Sequence, residues 1–149
     1  MFSDEKGMLI AIEEARFAKE SGEWPFGAAI FSGDKLVARN RRRETEEKTV
    51  LAHAELHTIN DACKALGRTN LSDCVIYTTN EPCLMCAAAI FQAKISRVVI
   101  GLDRADLLHL LRDRKFNIEH LAEDSGYEPK IVRGVLKERI LELFADVQK

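Results

Sequence analysis

The chain of 149 residues is bounded first by what it lacks. It has no long apolar run: stretches such as Val98–Ile100 are far too short to cross a bilayer, and Met1–Lys6 lacks a secretion signal's apolar core. A soluble, cytoplasmic protein without membrane contact is therefore expected. It has no excess charge either, since 22 basic and 24 acidic residues leave a formal −2. No global field draws in a polyanion, so any nucleic-acid contact would have to be local. Cysteines number only four. In an intracellular chain a C-x-x-C pair points to metal or redox chemistry before disulfides, and Cys63 and Cys74 read as small buried hydrophobes. Repeats, linkers and low-complexity tracts are missing. With 46% apolar residues at the ordinary size of one domain, a single domain over residues 1–149 is expected.

Residues 4–19 place Met8, Leu9, Ile12 and Ala15 on one helical stripe, stopped by Ser21 and Gly22. The apolar run Phe26–Phe31, a turn at residues 32–34 and a second run Lys35–Ala38 predict a β-hairpin. Residues 39–49 carry Arg39, Arg41, Arg42 and Arg43 followed by Glu44, Glu46 and Glu47, and read as a solvated loop. Leu56, Ile59, Ala62 and Cys63 recur at helical spacing from His53 to Leu66, with Gly67 closing the segment. Cys74–Thr79 is β-branched and aromatic, as a buried strand requires. A helix over 83–93, a strand over 97–102 and a short helix from Asp106 to Leu111 follow. Asn117–Leu121 is assigned to a last strand. Glu128 and Pro129 open a final helix whose stripe is Val132, Val135, Leu136, Ile140, Leu143, Phe144 and Val147. A hairpin followed by strand–helix–strand units implies an α/β fold, a three-layer α/β/α sandwich around a mixed sheet.

Two short motifs carry the chemistry. Glu81-Pro82-Cys83-Leu84-Met85-Cys86 presents two thiols three positions apart, and His53-Ala54-Glu55 supplies an imidazole and a carboxylate. A catalytic zinc needs three protein ligands and one open position, and His53, Cys83 and Cys86 make three. Both ligand-bearing segments begin helices, whose N-terminal partial charge favours thiolate. One Zn²⁺ per chain is expected. On a helix's first turn Glu55 would point about 200° away from His53, too far for a routine fourth ligand. It reaches a water at the metal if His53 lies at the non-helical cap. Hydrolytic deamination needs such a carboxylate to take the water's proton and pass protons to the ring nitrogen and the departing ammonia.

H-x-E followed by P-C-x-x-C is the signature of zinc-dependent base deaminases. From about Pro25 to Leu102 the chain resembles the cytidine and deoxycytidylate deaminase superfamily, in its branch of guanine, fungal-type cytosine and tRNA adenosine deaminases. The resemblance rests on Pro25–Ala28, Asn40 after the second strand, Ala52–Glu55, Thr78–Cys86, Ala89-Ile90 and Ile95–Val99. It implies a cytidine deaminase-like fold, zinc on His53, Cys83 and Cys86, and Glu55 as proton shuttle. It further implies Asn40 and the backbone at Ala54 holding the base, Phe26 lining the pocket, and a homodimer. Asp106 falls where guanine deaminases carry a base-binding carboxylate. The glycine-rich segment typical here of tRNA adenosine deaminases is missing, because Asp103–Arg114 contains no glycine.

A small free base or related heterocycle, of guanine or cytosine type, is thus the expected substrate, with nucleic acid disfavoured. Three points carry that expectation: the near-zero net charge, the acids that follow the arginine run, and an apolar lid formed by Leu107, Leu108, Leu110, Leu111 and Phe116. The closest rival is adenosine in tRNA, suggested by Arg39 and Arg41–Arg43. A rival of another class is a non-catalytic zinc-binding interaction domain, which would need no Glu55.

Overall fold

The computed structural model describes residues 2–149. Helix α1 spans Asp4–Glu20; the Ser3 hydroxyl caps it by accepting from the Lys6 amide at 3.3 Å, with Asp4 and Glu5 in its positive first turn. Its buried stripe is Met8, Ala11, Ile12, Ala15 and Ala18. Strands β1 (Gly27–Ser32) and β2 (Lys35–Arg41) form the antiparallel hairpin, turned at Gly33 with φ 61°. Then follow α2 (Glu44–Glu47), α3 (Ala54–Leu66), β3 (Cys74–Asn80), α4 (Leu84–Gln92) and β4 (Arg97–Leu102). A single 3-10 turn occupies Arg104–Leu107, and the chain ends with α5 (Ile118–Ser125), β5 (Lys130–Val132) and α6 (Lys137–Phe144).

The five strands order β2-β1-β3-β4-β5, antiparallel across β1 and parallel from β3 to β5. Period-two alternation sends Ile76, Val98 and Ile100 to one face, where Ile59, Ala62, Ala87, Ile90, Ile118 and Ala122 of α3, α4 and α5 cover them. Tyr77 and Val99 face the other way, against Met8 and Ile12 of α1 and Ile140 and Phe144 of α6. The mixed three-layer sandwich is therefore as expected. Helix α6 lies so close to β4 that a Cβ at Gly101 would sit 2.1 Å from Ile140 Cδ1. Among the described residues no helix is long and apolar enough to cross a membrane.

The short helix expected over Asp106–Leu111 is only the 3-10 turn at Arg104–Leu107, and three further segments differ from expectation, each for a local reason. Residues 39–49 are ordered: β2 runs on to Arg41, and the acids of α2 fold back onto the arginines instead of solvating. Arg42 Nη2 lies 3.1 Å from Glu44, and Arg43 Nη1 3.7 Å from Glu47. Residues 117–121 begin a helix, because Asn117 accepts from the His120 amide at 3.1 Å while His120 Nδ1 accepts from the Asn117 amide at 3.2 Å. Ile118 and Ala122 then repeat at helical spacing into the core. The predicted final helix divides, since Ile131 and Val132 are β-branched and pair with Val98 and Val99 before Gly134, at φ 81°, turns the chain into α6. Its stripe still packs as one, with Val132, Val135, Leu136, Ile140 and Phe144 all against the α1-side core.

Candidate active site

The ends of two helices make the site. His53 is the N-cap of α3, extended at φ −88° and ψ 148°, and its imidazole makes no capping hydrogen bond. Cys83 holds the same position on α4, at φ −67° and ψ 172°, again with an uncommitted side chain. Caps are non-helical, so each side chain swings out from the helix axis toward the other helix; Cys86, one turn into α4, joins them. The three donor atoms lie within 4.8 Å of one another. His53 Nδ1 is 3.7 Å from Cys83 Sγ and 3.4 Å from Cys86 Sγ. A tetrahedral zinc with ordinary Zn–N and Zn–S bonds would set these separations at about 3.6 Å, so the trio fits the ion without rearrangement.

The electrostatics agree with that donor set. The hydrogen bond from Cys86, aided by His53, holds Cys83 down at about 4 against the opposing effect of burial. Cys86, the donor of that bond and itself buried, is pushed up, and the bond to Cys83 raises His53. Outside the trio, Glu44 places Oε2 3.4 Å from His53 Nε2, so a carboxylate orients the ring with Nδ1 toward the thiols.

Glu55, one residue into α3 beyond Ala54, is 2% exposed. It is not among the clustered donors, and it lines the same pocket as His53 and Cys83. Because His53 is the cap and not a first-turn residue, the two side chains converge. Burial first, then the negative charge of Cys83, pushes the Glu55 carboxyl up to about 7.

The pocket over these groups has a volume of about 270 Å³, walled by Phe26, Ala54, Trp24, Arg42, Asn80, Arg104 and Leu111 among others. That is near the small end of ligand sites, the scale of one heterocycle. Phe26 and Ala54 both line it. Asn40 does not: its Nδ2 donates to Asp61 at 2.9 Å, and its Oδ1 accepts from the Arg41 amide at 2.9 Å and Arg43 at 2.6 Å. Two residues on, Arg42 enters the pocket wall instead, its guanidinium 4.8 Å from the Trp24 ring centroid. Asp106 is also elsewhere. Its Oδ2 accepts from the Asp103 amide at 2.9 Å to close the 3-10 turn, and its Oδ1 pairs with Lys137 at 2.9 Å. Of the proposed lid only Leu111 reaches the pocket; Leu107 and Leu110 are core, and Leu108 and Phe116 are 49% and 63% exposed.

Sequence reasoning missed Trp24, Arg42, Asn80 and Arg104. The single tryptophan and the one amide ending a β-branched strand before Pro-Cys were the available signals.

The chain's first 102 residues match the model of the cytidine and deoxycytidylate deaminase zinc-binding region. The chain belongs to this deaminase family. It is therefore a hydrolase acting on the C–N bonds of cyclic amidines, of a zinc-binding kind whose metal the His53, Cys83 and Cys86 group is placed to hold. A tRNA-specific adenosine deaminase of Bacillus subtilis (strain 168) is 40% identical over 145 residues, covering 93% of this chain and 84% of the relative. A solved structure from work on A-to-I editing by tRNA:A34 deaminases aligns with TM-score 0.80 and 33% identity, covering 93% of this chain and 98% of that one. A guanine deaminase of Bacillus subtilis aligns less well, at TM-score 0.68 and 30% identity over 85% of this chain and 72% of that one.

These likenesses overturn the expectation of a small free base with nucleic acid disfavoured, and the structure removes its physical grounds. Asp106 is spent on a cap and an ion pair. The acids after the arginine run are paired with it, Glu44 with Arg42 and Glu47 with Arg43. Meanwhile Arg104, Arg112, Arg114 and Lys115 have no carboxylate within ion-pair distance among the described residues. Net charge averaged that local ledge away.

Proposed function

We propose that the protein deaminates adenosine within tRNA, giving inosine and ammonia. The observation that carries this reading is the unpaired basic ledge beside a one-base pocket, in a chain 40% identical to a tRNA-specific adenosine deaminase. Arg104 lines both the pocket and an adjoining groove of about 290 Å³ that Arg114, Phe116 and Asp113 also line, and the groove's other acids, Glu81 and Asp103, are taken by Arg133. A phosphate backbone can lie along these cations while Phe116 offers a ring for a neighbouring base, and a single unstacked adenine enters.

His53, Cys83 and Cys86 would hold the zinc, with Glu44 fixing the imidazole. Zinc bound there supplies a Lewis acid that brings a water molecule's pKa into the neutral range. A Glu55 carboxylate oxygen takes a proton from the water that attacks C6. It returns that proton to N1, then takes the second proton from the hydroxyl added at C6 and passes it to the amine as the C6–N bond breaks, so one water is consumed and one ammonia released. Phe26 and Trp24 bound the base, and Leu111 keeps bulk water from the carboxylate. Incubation of a tRNA transcript with the protein, read out as inosine by reverse transcription, tests the proposal; a transcript left unchanged by active protein would refute it.

A further inference from the structure

We propose that Glu23 is a positioning residue for the metal centre, acting through α2 and Glu44 on the imidazole of His53. The inference rests on the zinc site alone and stands whichever base the enzyme deaminates. Glu23 follows α1 and is tied to it by its own amide, which donates to the Ala18 carbonyl at 2.9 Å. The residue is only 5% exposed, yet nothing in the chemistry at His53, Glu55, Cys83 and Cys86 calls for its carboxylate.

The use of that carboxylate is visible at α2. This four-residue helix buries no residue, and Arg43 at its N-cap makes no side-chain capping bond. Neither packing nor a cap of its own therefore fixes it. Glu23 supplies the cap from outside, Oε1 accepting from the Thr45 amide at 3.2 Å and Oε2 from the Glu46 amide at 2.7 Å. An anion suits the free amides of a helix start, and here both of its oxygens are engaged. Oε1 also lies 3.7 Å from Arg42 Nε, and Arg42 Nη2 lies 3.1 Å from Glu44 Oε2. Helix α1, packed in the apolar core, thus holds α2 at two amides and through Arg42.

The consequence falls on a metal ligand. Glu44 is the first residue of α2, and the same Oε2 that meets Arg42 lies 3.4 Å from His53 Nε2. Among the described residues, Glu44 and the two thiols are the only side chains within hydrogen-bond or ion-pair distance of that ring. A carboxylate against the outer nitrogen fixes the ring and its tautomer and makes the inner nitrogen a stronger donor to a metal. The Glu44 side chain is 30% exposed, so with α2 untethered it would exchange the ring for water.

Zinc affinity of the loaded protein by chelator competition, and hydrogen exchange at the Thr45 and Glu46 amides, would be measured for Glu23→Gln, Glu44→Ala and the double variant. Glu23→Gln keeps the size but leaves one of the two amides facing an NH2 group. We expect each single variant to hold zinc about 10- to 100-fold more weakly, and the double variant to lose no more than Glu44→Ala alone. The two amides should exchange faster in Glu23→Gln and stay protected in Glu44→Ala, because the action runs from Glu23 to Glu44 and not back. Zinc affinity of Glu23→Gln within threefold of wild type would overturn the inference. Losses that add in the double variant would overturn it too, since Glu23 would then reach the metal by a route that bypasses Glu44. Should Glu23→Gln not fold, Glu23→Asp, which keeps the charge one methylene short, takes its place with the same expectations and the same grounds for rejection. Wild-type turnover confined to a free heterocycle would sink the tRNA reading and leave these zinc measurements untouched.

Discussion

Residues before and after Leu102 share one sheet and its two apolar layers, but differ in what fixes the segments that reach the site. The first part is a hydrophobic construction in which β3, β4, α3 and α4 bury Ile76, Val98, Ile100, Ile59 and Ile90, and the helix starts at His53 and Cys83 follow rigidly from that packing. The later part buries Leu107, Ile118, Ile140 and Phe144 against the same sheet, and an ion cluster fixes the segments that border the site. Arg133, at the end of β5, reaches Glu81 at 3.0 Å, Asp103 at 2.6 Å and Glu119 of α5 at 2.5 Å, and Lys137 reaches Asp106 at 2.9 Å. Burial works against the Arg133 charge, but the hydrogen bonds it donates to three carboxylates outweigh that and raise its pKa. The difference teaches where each task resides: the metal donors, which need fixed distances, sit on helix starts set by apolar packing, and the segments beside them are tied by the Arg133 ion cluster.

The largest effect should come from the rigid part. Cys83→Ala is expected to drop zinc from about one per chain to near zero, with activity lost alongside, as elemental analysis and ammonia release would record. Zinc retained in full would break the assignment of the trio. Glu55→Gln should keep zinc and thermal midpoint yet lose turnover by roughly 100- to 10,000-fold, toward the upper end because the group acts twice. Loss of zinc as well would make Glu55 a ligand.

Arg133→Met probes the charged part. It leaves the Glu81 carboxylate, 9% exposed, without its partner, so urea unfolding should show a loss of about 1–2 kcal/mol while zinc stays bound. An unchanged midpoint would mean that the two parts are not joined there. The smallest effect is expected at Asp73, a half-exposed partner of Arg68 at 2.9 Å. The hydrogen bond from Arg68 holds its carboxyl down at about 2. A carboxyl lowered on folding stabilises above its unfolded value and loses that contribution as pH falls through the folded one. Asp73→Asn should therefore differ slightly from wild type at neutral pH and converge with it between about pH 4 and 2.

The same division explains what could be read from the residues. His53, Glu55, Cys83 and Cys86 were legible because chemistry requires those types at those spacings, and helix periodicity placed them at helix starts. Asn40 and Arg42 were not, since β2 ends at Arg41 and the chain leaves strand geometry between them, and Arg42's Trp24 neighbour is not near it in sequence. After Leu102, Val132, Val135 and Leu136 satisfied a helical stripe while belonging partly to a strand. Their burial against the α1-side core was correct and only the backbone path was wrong. Ion pairs such as Arg133–Glu81 leave no periodic trace at all.

The most direct measurement is ammonia release from a tRNA transcript, free adenine, free guanine and free cytosine at one moderate salt concentration. The account predicts turnover of the transcript, with kcat/KM for each free base lower by at least about 1,000-fold, as expected when backbone contacts supply much of the binding. Efficient turnover of a free base, with the transcript untouched, would contradict it.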